Sequence, residues 1–149
     1  MADTHVQLEV EDWIRRNWMP AQFGQKFHRD RLRLSSGGVF DFDAVSENGT
    51  IVANISTSGA TTASGRRAVG KLLKIRSDMF FLLLAEVERR LVVLTEPDML
   101  ELCQEEKERG RVPSSIEFCV ANIPDELAQR LRRARRKASR EVSPGQHGI

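Results

Sequence analysis

The chain has 149 residues, with 23 Lys and Arg against 21 Asp and Glu and 40% hydrophobic residues. That is enough for one domain with a real core, too short for two ordinary ones, and too apolar for a disordered chain. The near-cancelled charge excludes a protein that is polybasic throughout. Its most conspicuous apolar run, 79–85, is far short of the roughly 20 residues a membrane helix needs, so no membrane partner is expected. The opening MADTHVQLEV has an early acid and no apolar stretch, and two cysteines, Cys103 and Cys119, cannot supply a disulfide framework. A cytoplasmic setting is the expectation.

The elements follow from periodicity. Val6, Val10, Trp13 and Ile14 recur at helical spacing, Thr4 with Gln7 offers a capping box, and Pro20 is expected to end the helix. Residues 26–34 read as a strand with Arg29, Arg31 and Arg33 on its wet side. Residues 39–45 form a second strand, with Phe40, Phe42 and Ala44 on one face and Asp41 and Asp43 on the other. Glu47-Asn48-Gly49 is a tight-turn signal, and a third strand spans 50–57. A polar loop precedes a helix whose apolar face is Ala68, Val69, Leu72, Leu73 and Ile75, with Arg67, Lys71 and Lys74 as a basic stripe. Ser77-Asp78 reads as a break, so MFFLLLA is expected to be a strand buried on both faces. LVVLT is a further strand. Thr95 is a candidate cap for a helix from Pro97 to about Gly110. Residues 115–123 alternate as a strand, and a basic helix occupies about 124–141. The expected order is α-β-β-β-α-β-β-α-β-α: one α/β domain over 1–142 with a mixed sheet, and a flexible tail at 143–149.

Residues two apart on a strand share a face, so register could bring Asp41 and Asp43 beside Asn54 and Ser56. Such a polar group is costly if buried dry, which places it at an edge or in a wet cleft. A leading helix, a strand with an Asp, a tight turn, a strand with two polar residues one apart, a helix and a buried strand together resemble the PD-(D/E)XK, or restriction-endonuclease-like, nuclease superfamily. The resemblance covers about residues 4–95. It implies a restriction-endonuclease-like mixed sheet flanked by helices, in which the Asp and a following acid bind a divalent cation and a Lys orients the attacking water. Asp43 stands at the motif Asp, Asn54 where the second acid belongs, and Ser56 where the Lys belongs. Glu9 is the better-placed match for the Glu that the family sometimes adds from its first helix, and Glu11 is the weaker one.

The resemblance therefore implies a nuclease-related domain with a degenerate metal site, which binds nucleic acid (DNA favoured) or serves as a non-catalytic partner in a nuclease or defence system. If it cleaves, Mg²⁺ or Mn²⁺ would sit on Asp43 with Glu9 and Asp41, and Lys71 or Lys74 would replace the missing Lys. Asn54 and Ser56 complete that candidate catalytic set. The alternative is an interaction or dimerisation module with no nucleic-acid role.

Other motifs are weaker. Gly65 to Lys71 has the GxxxxGK spacing of a phosphate loop, but Leu72 stands where Ser or Thr is needed. Zinc-ligand spacings and a serine-hydrolase elbow are both missing. The last helix carries Arg130, Arg132, Arg133, Arg135, Arg136, Lys137 and Arg140 within eleven residues. Arg132, Arg133, Arg135, Arg136 and Lys137, with Arg67 and Lys74, are the candidate nucleic-acid contacts. The net charge hides this polarity: residues 1–60 hold six bases against eight acids, whereas residues 111–149 hold eight against four.

Overall fold

The computed structural model describes residues 5–61 and 68–142, with side chains in the last helix up to Lys137. Thr4, Arg67 and the 143–149 tail lie outside the described residues. The chain opens with α1 (His5–Trp13), a π-helical turn (Ile14–Trp18) and α2 (Met19–Phe23), running on without a break. Pro20 therefore does not end the helix. Proline has no N–H to donate and clashes with the preceding turn of a regular helix. The wider π turn lies immediately before it, Pro20 takes a first-turn position of α2, and the helix closes at Gly24 with φ of 72°.

Five strands follow in one mixed sheet: β1 (Phe27–Arg33), β2 (Val39–Ser46), β3 (Ile51–Ser56), β4 (Arg89–Leu94) and β5 (Ile116–Val120). They lie in sequence order across the sheet, with β1, β2 and β3 antiparallel and β3, β4 and β5 parallel. The parallel pairs are joined by α3 (Val69–Leu84) and α4 (Pro97–Glu108), and α5 (Asp125–Val142) closes the chain. The order is α-β-β-β-α-β-α-β-α, with the first helix, its π turn and α2 counted together.

The run 79–85 is thus no strand. It is the second half of α3, and the expected sixth strand is absent from the sheet. Ser77-Asp78 does not break the helix, because Lys74 donates to Asp78 at 3.0 Å across one turn. Burial in the run follows the helical period: Met79 and Leu82 are buried, while Phe80 and Leu83 face outward. A uniformly apolar run has no period of its own, so packing decides it. Arg90 of β4 completes the helix end by donating to the carbonyls of Leu82 and Ala85.

The sheet separates two cores. Phe42, Val45, Val52, Ile75, Leu82, Val92, Leu94, Met99 and Ile116 fill the side under α3 and α4. Val10, Ile14, Met19, Ala44, Ala53, Leu91, Val93, Leu127 and Leu131 fill the side under α1 and α5. The β2–β3 turn closes as expected, with Gly49 at φ of 75° and the Ser46 hydroxyl accepting from Thr50 and Ile51 N–H. Thr95 does not cap α4. Glu96 holds the position before the helix, and the Thr95 Oγ1 is buried without a partner among the described residues.

Candidate functional site

Strict alternation along β2 would place Phe42 and Ala44 on one face. They lie in opposite cores, because the β1–β2 register shifts between His28 and Asp30: His28 pairs with Val45, Asp30 with Phe42. The extra residue in β2 is a bulge beside Asp43, and it separates the two acids. Asp41 turns outward and pairs with Arg31 on β1 at 2.9 Å. Asp43 turns toward β3.

At Asp43 the sheet is held by side chains. Its carboxylate accepts the Ile55 N–H at 2.8 Å, and its own N–H donates to the Asn54 Oδ1 at 3.4 Å. The regular β2–β3 pairing is confined to Ala44 with Ala53 and Val45 with Val52. Asp43 and Asn54 therefore stand where the two strands part. Asn54 is buried, and its amide also donates to the backbone carbonyl of Asp78 on α3 at 3.4 Å. From the other side, Arg15 on the π turn donates to the Asp43 carbonyl at 2.6 Å. The π turn thus positions a side chain on the bulge.

Glu11 on α1 is a second acid, half-buried and in the electrostatic field of Asp43. Burial, reinforced by the nearby Asp43 charge, pushes its carboxyl up to about 7, against the opposing pull of Arg15, Arg29 and Lys74. Asp78 is also pushed up, by burial first, with Lys74 opposing and Asp43 adding to the rise. Hydrogen bonds therefore link Asp43, Asn54 and the Asp78 backbone, Lys74 pairs with the Asp78 carboxylate, and Glu11 lies within the electrostatic reach of Asp43 and Lys74.

Glu9 is elsewhere. Two residues on a helix subtend about 200°, so Glu9 and Glu11 cannot share a face. Glu9 pairs with Arg130 of α5 at 2.5 Å, which holds its carboxyl below the usual range. Ser56 is half-buried and accepts from its own loop, at Ser58 N–H. Lys71 is exposed one turn before Lys74.

In the sequence Glu11 ranks second to Glu9, and nothing singles out Asp78. For Glu11 the available signal is its position one residue after the buried Val10. Asp78 is hidden because Ser77-Asp78 resembles a helix break.

The acids present do not suit a divalent cation. Among the described residues, no three His, Cys, Asp or Glu side chains gather in a metal-binding group. One oxygen of Asp43 is engaged by the Ile55 N–H, and its neighbour Asn54 is a neutral amide. A cation such as Mg²⁺ needs carboxylates and room for water.

The basic helix divides into two sets. Arg130 is taken by Glu9, and Arg135 by the Thr57 carbonyl at 2.8 Å and Glu96 at 2.5 Å. Arg132 reaches Glu96 only at 4.0 Å and lines a cleft of about 230 Å³ between the C-terminal ends of β4 and β5. Arg133, Arg136 and Lys137 are exposed and make no ion pair among the described residues. Both thiols are pushed up to about 11, chiefly by burial, so neither is a poised nucleophile. No protein-family model, curated protein or solved structure matches the chain.

Proposed function

We propose that this chain is a nuclease-related, restriction-endonuclease-like domain with a degenerate metal site, and that it binds nucleic acid, with DNA favoured. One observation supports this above others. Where β2 and β3 part, the strand Asp43 is bonded to Asn54 of the next strand, Asn54 to the Asp78 carbonyl of α3, and Lys74 of that helix to Asp78, with the α1 acid Glu11 in the field of Asp43 and Lys74. The element order α-β-β-β-α-β over His5–Leu94 agrees with that reading. The set has lost what metal chemistry requires, since Asn54 and Ser56 supply neither charge.

Phosphate contact would fall to Arg133, Arg136 and Lys137, with Lys74 and Lys71 on α3 as a second patch. In this reading the polar group at Asp43 keeps the strands in register and no longer assembles a reacting centre. A second reading, an active nuclease with Lys74 as the relocated cation, draws on the ion pair of Lys74 with Asp78, whose backbone carbonyl is bonded to Asn54 beside Asp43.

Two measurements test the pair. Duplex DNA binding should weaken steeply as salt rises; no binding at low salt removes the nucleic-acid role. Phosphodiester cleavage with Mg²⁺ or Mn²⁺ should be absent; cleavage abolished in Asp43→Ala would establish the second reading instead.

A further inference from the structure

A row of large apolar side chains runs along the exposed side of α3. Val69, Leu73, Phe80 and Leu83 are 57%, 53%, 58% and 40% exposed. With Arg76 they fall at successive steps of four, three, four and three residues, the spacing of a helix seam that packs on another helix. Nothing in the fold requires them to be apolar, since α3 already buries Leu72, Ile75, Met79 and Leu82 against the sheet. A regularly spaced apolar row of this kind marks an interface.

We infer that α3 packs against α3 of a second copy of this chain, antiparallel, about a two-fold axis near Ser77 and Asp78. Two features select this occupant and orientation. The seam is self-complementary about that point: Leu73 meets Leu83 of the other copy, and Arg76 meets the ring of Phe80, the pairing of a guanidinium with an aromatic face. Arg76 enters that contact with its charge balanced by Glu106 of α4. The ends of the helix are also opposite in charge. Lys71 and Lys74 are exposed near its start, and exposed Glu86 and Glu88 follow its end. An antiparallel pair sets each basic end toward the other copy's acids; a parallel pair would set like against like. This inference does not rest on the nuclease reading.

The experiment is sedimentation of the full chain across a concentration series, with Leu73→Glu and Phe80→Glu as variants. The wild type should associate to twice its 16.9-kDa mass, and each variant should dissociate about 30-fold more readily or more. Both positions are exposed, so far-UV circular dichroism should be unchanged. A second measurement fixes the geometry. Ser77→Cys should cross-link to itself between copies under mild oxidation, whereas Leu73→Cys should cross-link only when mixed with Leu83→Cys. A wild-type monomer at every concentration, dimers that survive Phe80→Glu, or self-cross-linking of Leu73→Cys would each overturn the proposal.

Discussion

Replacing Glu11 by Gln removes a carboxyl that the fold holds in an unfavourable charged state. In the unfolded chain Glu11 ionises near 4.5, and in the folded chain near 7. The folded state therefore binds that proton more tightly. The stability it contributes is complete below pH 4.5 and is lost as pH rises through 7. The gap between those two values sets a ceiling of about 3.4 kcal/mol. Glu11 retains contact with solvent, and screening there reduces the effect to about 1–2 kcal/mol.

Glu11→Gln should consequently gain about 1–2 kcal/mol over the wild type between pH 5 and pH 8.5. In melting temperature that is roughly 3–6 °C for a chain of this size. Urea unfolding of both proteins at the two pH values is the assay, supported by carboxyl NMR titration of Glu11. The titration should move down in Asp43→Asn, which removes a neighbouring negative charge, and up in Lys74→Met, which removes a positive one. A stability difference that is the same at both pH values, or a Glu11 midpoint near 4.5, would refute the proposed convergence on Asp43.

Three further outcomes follow from the same contacts. Asp43→Ala leaves the Ile55 N–H without its acceptor, so urea unfolding should show a loss of about 1–3 kcal/mol, whatever the protein binds. Glu106, buried against Arg76 and Arg111, is held below its ordinary range first by the Arg76 hydrogen bond. Its contribution is present above pH 4.5 and fades as pH falls, so thermal melts of Glu106→Gln should be less acid-sensitive below pH 4.5 than those of the wild type. The triple change Arg133→Ala, Arg136→Ala and Lys137→Ala should flatten the salt dependence of duplex binding by about 0.9 for each phosphate no longer neutralised. An unchanged slope would move the binding surface to α3.

Much of the fold was legible because it is written in short-range patterns. The hairpin of β2 and β3 follows from alternation around Glu47-Asn48-Gly49, and β5 splits between the cores as its alternation predicts, with Ile116, Phe118 and Val120 on one side and Cys119 and Ala121 on the other. Gly110, with φ of 71°, lies just past α4 as a helix-ending glycine should. The stretch 79–85 resisted for a physical reason. It is apolar at every position, so it holds no period to read, and its assignment depends on the sheet beneath it.

By itself, the sequence determined the α/β class, the positions of five strands, and the candidacy of Asp43 and Asn54. Only the tertiary structure decided which acids meet. One bulged residue in β2 parts the two acids, leaving Asp41 in register with Arg31 and setting Asp43 against Asn54. The rotation of α1 then leaves Glu9 to Arg130 and puts Glu11, half-buried, in the field of Asp43. Bulge parity and helix rotation are set by long-range packing, and no local spacing encodes them.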